Sequence, residues 1–218
     1  MELIDFILHI DQHLQVFLQD YGMWVYAILF LIIFIETGLV VMPFLPGDSL
    51  LFATGMLAAQ FPESLNVWYV MLLLFVAAVL GDTLNYTIGK EIGMRIVNFK
   101  ILGKQPVKEE HIHKTHNFYE KYGSKTIVIA RFVPIIRTLA PFVAGIGRMN
   151  YATFLTFNVV GGFIWVFGIT LCGYFLGNIP IIKDNFSKVV LLIIFISILP
   201  IIFSIIKEKL NTKNKTLS

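Results

Sequence analysis

Two acids and two arginines stand beside proline and glycine residues in stretches that are otherwise apolar. Glu36 precedes and Asp48 ends the sequence PFLPGD, whereas Arg131 and Arg137 begin and end the sequence RFVPIIR. A charged side chain near the centre of a bilayer opposes insertion by roughly 2.5–3.5 kcal/mol on insertion scales. We therefore predict that these side chains meet in a polar cavity.

The arginines suggest the chemistry of that cavity. A guanidinium is permanently charged, weakly hydrated and able to bind phosphate oxygens with two parallel hydrogen bonds. Pro134 lies midway between Arg131 and Arg137, so the helix is interrupted there and both side chains can converge. We predict that both arginines bind a phosphate. The alternative is that they only neutralise Glu36 and Asp48 in a buried structural network.

The two interpretations are compatible. If a phosphate displaced a carboxylate from its arginine, the freed acid would take up a proton more readily in a low-dielectric site. Glu36, Asp48 or both are therefore predicted to carry a coupling proton.

A second polar pair, Asp82 and Asn85, lies three residues apart and hence on one face of a helix. Asp82 is either a functional intramembrane acid or a residue that caps a hairpin. Asn158, Gly162 and Trp165 share a face in the same way. Gly161 and Gly162 are assigned to close helix packing.

The composition indicates the class of protein. Of the 218 residues, 57% are hydrophobic and 14% are charged, and the mean hydropathy is +0.78. These values exclude an ordinary soluble domain and predict an all-α polytopic membrane protein. Cys172 is the only cysteine, which excludes an internal disulfide and a CxxC metal or redox site. We predict no metal site, no cofactor and no nucleic-acid partner.

The basic residues indicate the topology. None precedes Lys90, eight lie between Lys90 and Lys125, and four follow Ile206. Both basic regions should face the cytoplasm, which requires that the segment around RFVPIIR enters and leaves the membrane on one side. Its prolines agree with a re-entrant segment, and the first half has a similar interruption. The predicted breaks are Pro43, Pro46, Gly47, Pro134 and Pro141.

These features predict one membrane domain over residues 1–218, built as an inverted repeat with two opposed re-entrant helical hairpins plus transmembrane helices. Its predicted parts are an interfacial amphipathic helix (1–20), a first repeat (22–89, re-entrant at about 37–59), a cytoplasmic basic loop with an amphipathic helix (90–125), a second repeat (126–206, re-entrant at about 126–147) and a cytoplasmic basic tail (207–218).

The sequence resembles the bacterial DedA family of the VTT (SNARE-associated) superfamily. The resemblance rests on ETGLVVMPFLPGDSLLFATG, GDTLNYTIG and ARFVPIIRTLAPFVAGIGRMNYATFLTFNVVGGFIW, in this order. It implies a transporter fold with two opposed re-entrant helices in the bacterial inner membrane. For several members it implies translocation of undecaprenyl phosphate, and for others phosphatidylethanolamine flipping, lipid scrambling or proton-dependent drug tolerance. It also implies that Glu36, Asp48, Arg131 and Arg137 are required for activity.

The function expected from residues and resemblance together is proton-coupled transport of a polyprenyl phosphate, with membrane lipids, the lipid substrate and protons as partners and a cytoplasmic C-terminus. A homodimer is left open. Two other classes are a proton-coupled exporter of cations or drugs and a membrane organiser that transports nothing. An enzyme is not predicted, because no histidine follows Arg131 or Arg137 to act as the nucleophile of a lipid phosphatase.

Overall fold

The computed structural model describes residues 10–39, 47–98, 109–185, 188, 189 and 192, and within these ranges it contains helices and no strand. The all-α prediction is confirmed for this part of the chain. The α-helices are α1 (Ile10–Gly38), α2 (Gly47–Gln60), α3 (Val67–Asn98), α4 (Glu109–Tyr122), α5 (Thr126–Ile129), α6 (Pro134–Ile146), α7 (Tyr151–Gly177) and α8 (Pro180–Asp184), with 3-10 turns at Gly123–Lys125 and Ala130–Phe132.

Three of the described helices are long and apolar enough to cross a membrane. The candidate spans are Asp20–Gly38, with 19 residues, and Val67–Gly93 and Tyr151–Gly177, with 27 residues each. Helix α1 is kinked at Tyr21 (φ −114°, ψ 16°), where the predicted interfacial segment meets the predicted first span. The last part of the predicted second repeat, 188–206, lies almost entirely outside the described residues, and the predicted basic tail lies wholly outside them.

Helices α2 and α6 are too short to cross a bilayer alone. They contain 14 and 13 residues, or about 20 Å of helix at ~1.5 Å per residue, against a hydrocarbon core of about 30 Å. Gly47 is the first residue of α2, and the predicted breaks at Pro43 and Pro46 lie outside the described residues.

The proline pattern of α6 corrects one prediction. The helix begins at Pro134, and Val133 is extended (φ −119°, ψ 105°), as expected for the residue before a proline. It then continues through Pro141, so the prediction of a second break there is wrong. Pro141 has no N–H for the carbonyl of Arg137, but a buried helix inside a membrane protein tolerates one such loss.

Each short helix packs on the long helix from the other half of the chain, and we call this arrangement crosswise packing. Helix α2 lies along α7, and α6 lies along α3. A Cβ added at Gly173 would overlap the backbone of Phe52 on α2, and one at Gly89 would overlap the backbone of Phe142 on α6. The partner helices carry glycines in the same contacts, Gly55 and Gly145. Both interfaces therefore depend on backbones that approach closely at glycine.

Helix α4 packs against the outer side of α6. Its Ile112 lies in a cluster with Leu139 and Phe142, and the hydroxyl of Tyr119 donates a hydrogen bond to the carbonyl of Ala140 at 2.8 Å. Burial raises the pKa of Tyr119 above its ordinary range, so this hydroxyl stays a donor at physiological pH. The polar helix is thus attached to one of the two short apolar helices.

Glycine substitutions test the crosswise packing. We expect Gly89→Ala and Gly173→Ala each to lower the free energy of unfolding by about 1–3 kcal/mol, because the new methyl group meets backbone that cannot rotate away. Gly168→Ala is the matched control, since a Cβ at this α7 position has nothing within 4 Å. Thermal unfolding of the detergent-purified variants measures the difference. A Gly168→Ala protein as unstable as Gly173→Ala would contradict the packing described here.

Candidate functional site

Arg137 joins three separate parts of the chain. It lies in the first turn of α6, and its Nη2 donates to Glu36 Oε1 at 2.6 Å while its Nη1 donates to Asp48 Oδ1 at 2.7 Å. Glu36 lies in the last turn of α1 and Asp48 in the first turn of α2. The predicted meeting of these three side chains is therefore observed, and a single guanidinium is shared between two carboxylates.

The N-terminus of α2 completes this arrangement. The backbone N–H of Gly47 donates to Glu36 Oε1 at 3.3 Å, and a Cβ at Gly47 would overlap the Glu36 carboxylate. The first residues of a helix carry a partial positive charge, which stabilises nearby carboxylates. Glycine at this position thus lets the acid approach the helix start.

Arg131 has different partners. It lies in the 3-10 turn before α6, and its Nη2 donates to Asp82 Oδ2 on α3 and to Asn158 Oδ1 on α7 at 2.6 Å. Asn158 in turn donates through Nδ2 to the carbonyl of Val79 at 3.1 Å. The sequence placed Arg131 with Glu36 and Asp48, whereas the structure pairs it with Asp82.

The glycine pair on α7 makes room for this arginine. A Cβ at Gly161 would lie 3.0 Å from Arg131 Nε, and one at Gly162 would lie 3.5 Å from Nη2. The same added Cβ at Gly161 would lie 3.2 Å from the Cα of Val128. Their predicted role in helix packing is therefore incomplete, because they also accommodate the guanidinium.

Trp165 connects the two networks. Its side chain is fully buried, and its indole Nε1 donates to Asp48 Oδ1 at 2.7 Å. The guanidinium carbons of Arg137 and Arg131 lie 5.2 and 5.7 Å from its ring centroid, within the ~6 Å range of cation–π attraction. Both arginines therefore do converge, on an aromatic ring whose role the sequence did not reveal.

Asn85 stabilises the site through two hydrogen bonds to backbone carbonyls. Its Nδ2 donates to the carbonyl of Thr37 at 3.1 Å and to that of Thr138 at 2.8 Å, so it joins the end of α1 to the first half of α6. The two members of the predicted pair on α3 thus have different roles, since Asp82 binds Arg131 whereas Asn85 binds two backbone carbonyls.

Exposure distinguishes the two ion networks. The Arg131 and Asp82 side chains are 4% and 6% exposed, and those of Arg137 and Glu36 are 9% and 1% exposed, whereas that of Asp48 is 54% exposed. Asp48 is therefore the one member of these two ion networks that is accessible at the protein surface.

The site also contains more acids than arginines. Glu36, Asp48 and Asp82 face Arg131 and Arg137, which leaves a formal charge of −1 if all are ionised. A buried charge without a partner is strongly unfavourable. The structure thus gathers three carboxylates around two guanidinium groups, and two of these acids share Arg137.

The comparison with known protein families decides which family this is. The VTT domain family matches residues 45–175 of the chain, which include every side chain of both networks except Glu36. The chain belongs to this family. Its relatives include Protein DedA of Escherichia coli strain K12, which is 53% identical over 207 residues that cover 95% of this chain and 94% of that protein.

More distant relatives agree. An uncharacterized membrane protein of Mycobacterium tuberculosis strain H37Rv is 44% identical over 174 residues, covering 80% of this chain and 75% of that protein. Inner membrane protein YqjA of E. coli K12 is 34% identical over 181 residues, covering 83% and 80%. No solved structure matches the chain. The family and the three apolar helices together identify a membrane protein of the DedA type.

Two acid-to-amide substitutions test the division between the networks. Asp82→Asn leaves Arg131 buried without its carboxylate and should lower the free energy of unfolding by about 3–5 kcal/mol. Asp48→Asn should have a smaller effect, because Asp48 is half exposed and Arg137 keeps Glu36. Thermal unfolding in detergent measures both. Equal losses of stability would show that exposure does not distinguish the two pairs.

Proposed function

We propose that this protein is a transporter of the bacterial inner membrane that binds the phosphate of a polyprenyl lipid, such as undecaprenyl phosphate, and returns the carrier to the cytoplasmic leaflet. The observation that carries the proposal is the shared Arg137. Its two outer nitrogens hold the carboxylates of Glu36 and Asp48, and Asp48 is accessible at the protein surface.

Phosphate is the anion that suits this geometry. Each outer nitrogen of Arg137 already donates to a separate carboxylate oxygen, and a phosphate can accept from the same two nitrogens in the parallel manner that guanidinium favours. Arg131, beside the same indole ring, supplies a second positive charge. We propose both arginines as phosphate ligands, with Arg137 the first to be reached.

Proton coupling follows from the exchange of partners. When the phosphate takes Arg137, Glu36 and Asp48 lose their cation, and a carboxylate without a partner in a buried site favours its protonated form. The excess of one acid over the arginines in the site supports the same conclusion. We propose Glu36 as the main proton carrier, because its side chain is 1% exposed, and Asp48 as the second.

The finer architecture of the proposal is an inverted repeat. The candidate spans of α3 and α7 have equal lengths of 27 residues, and their starts are capped alike. The side chains of Asn66 and Asn150 each accept hydrogen bonds from the backbone N–H groups two and three residues later. These asparagines are 84 residues apart (150 − 66), as are two pairs of packing glycines, Gly89 with Gly173 and Gly93 with Gly177.

The short helices fit the same scheme. We propose that α2 and α6 form the re-entrant parts of the two repeats, because each is too short to span and each packs on the long helix of the other half. Asp48 lies in the first turn of α2 and Arg137 in that of α6. Broken helices whose N-termini meet at a central site are typical of secondary transporters.

A second candidate function is proton-coupled export of a cation or drug. The excess of acids favours this function, because three carboxylates surround only two arginines and one carboxylate can therefore bind a cation. Transport of phosphatidylethanolamine, or unselective scrambling, is a third candidate. The experiment below separates these functions by their substrates.

Leaflet-resolved movement of labelled undecaprenyl phosphate in proteoliposomes tests the proposed function. We expect Arg137→Ala to abolish movement and Arg137→Lys to reduce it about tenfold or more, because ammonium keeps the charge but loses the fork. Arg148→Lys is the matched control, since Arg148 is exposed and lies outside both networks. Labelled phosphatidylethanolamine in the same vesicles should stay in its leaflet. Equal movement of both lipids would establish a scramblase instead, and movement of neither would favour cation or drug export.

Glu36→Gln tests the proton carrier. We expect residual uptake of the polyprenyl lipid that no longer accelerates when a pH gradient is imposed, because the amide cannot exchange a proton. The measurement compares initial rates with and without the gradient in native and variant vesicles. Full dependence on the gradient in Glu36→Gln would exclude Glu36 as the carrier and leave Asp48.

A further inference from the structure

A single carboxylate oxygen in the site is held by two donors of different kinds. Asp48 Oδ1 accepts from Arg137 Nη1 at 2.7 Å and from Trp165 Nε1 at 2.7 Å. The indole N–H is a donor only, so this group can bind only an acceptor. Its side chain is fully buried, whereas the acid that it holds is 54% exposed.

We infer that Asp48 occupies the anion position of the substrate, and that the indole N–H of Trp165 is a further ligand of the substrate phosphate. This inference rests on the proposed function and deepens it. A phosphate oxygen that displaced Asp48 Oδ1 would receive the hydrogen bonds of both Arg137 and Trp165, without any rearrangement of the buried donors. The ligand class is a phosphate anion, carried either by a lipid or by free phosphate.

Three features of the structure support an exchange at this position. Asp48 is the exposed member of the network, so it can swing outward first, while Glu36 still holds Arg137, and the phosphate then takes the second nitrogen of Arg137 from Glu36. The indole ring lies against both guanidinium groups, so the donor and the two cations keep their relative positions when the acid leaves. A buried N–H without an acceptor is unfavourable, so Trp165 also favours the return of Asp48 after the phosphate departs.

A merely structural tryptophan would behave differently. If Trp165 acted only through its ring, Phe would replace it in the cation–π contacts with both arginines, and loss of the N–H would affect substrate binding in the same way with or without Asp48. If the N–H is instead shared between two competing anions, its loss weakens both of them. The effect on phosphate affinity then depends on whether Asp48 is present as a competitor.

The experiment is a double-mutant cycle of Trp165→Phe and Asp48→Asn, with the dissociation constant of farnesyl phosphate measured by calorimetry on the full chain in detergent. We expect Asp48→Asn to tighten binding, because the internal competitor is lost. In that background Trp165→Phe should weaken binding about tenfold, as expected for a hydrogen bond to a charged group. In the native background it should weaken binding about threefold or less, because both anions lose the same donor. Equal effects in the two backgrounds, or no tightening by Asp48→Asn, would overturn the inference.

Controls separate this inference from the proposed function. Trp68→Phe removes an indole that is 65% exposed and should leave the dissociation constant unchanged. Inorganic phosphate and farnesol, tested beside farnesyl phosphate, show whether the phosphate alone is recognised. Binding that requires Arg137 but is indifferent to Trp165 would reject only the inference. Failure of both native and Asp48→Asn proteins to bind farnesyl phosphate would reject the proposed function as well.

A second readout keeps the native tryptophan and so does not depend on folding of the Phe variant. The chain has three tryptophans, and Trp24→Phe/Trp68→Phe leaves Trp165 as the sole emitter. We expect farnesyl phosphate to shift its fluorescence, and the shift to saturate at the calorimetric dissociation constant. An emission spectrum that stays the same at saturating ligand would contradict contact between the phosphate and the indole.

Discussion

A guanidinium buried in a membrane domain must be neutralised where it lies, and this constraint organises the molecule around Arg137. Its partners come from the last turn of α1 and the first turn of α2, so three helix ends have to meet at one point. Helix ends leave unpaired backbone groups, which need polar partners when they are buried. The polar site therefore accommodates the three helix ends, and these helix ends in turn bring the charged side chains together.

The crosswise packing is what makes such a meeting geometrically feasible. Each short helix packs on the long helix of the opposite half at glycines, where a side chain would overlap backbone. This close packing lets the first turns of α2 and α6 reach the site. Asn85 then fixes α6 to the end of α1 through two carbonyls, and Tyr119 fixes the other side of α6 to α4. Helix α6 is thus held by hydrogen bonds from neutral side chains to backbone carbonyls, and these do not depend on the ionisation of the site.

Local sequence rules predicted the membrane class, an interruption of the helix at Pro134 and the use of Glu36, Asp48 and Arg137 in one polar site. These features follow from hydropathy, from the backbone restriction of proline and from the high cost of an isolated charge. The partners of Arg131 did not follow, because the sequence offers three acids to two arginines and no spacing rule pairs Arg131 with Asp82 and Asn158 rather than with Glu36 or Asp48. Trp165 shares a helix face with Asn158, and this was the available signal that it belongs to the polar site. In an apolar span, however, most aromatic residues serve only in packing. Pro141 was misjudged because a single missing N–H interrupts a helix in water more readily than in a packed protein interior.

An acid at the substrate position changes how the proposed transport would work. If the phosphate entered an empty site, Nη1 of Arg137 and the indole N–H of Trp165 would have no anionic acceptor until it arrived, and a buried donor without an acceptor is unfavourable. With Asp48 in place, one oxyanion is exchanged for another and the arginine keeps an anionic partner throughout. The same competition weakens the net affinity for the lipid, which suits a carrier that must release its cargo on the other side. A site built for tight retention would have no reason to place a half-exposed carboxylate on its central arginine.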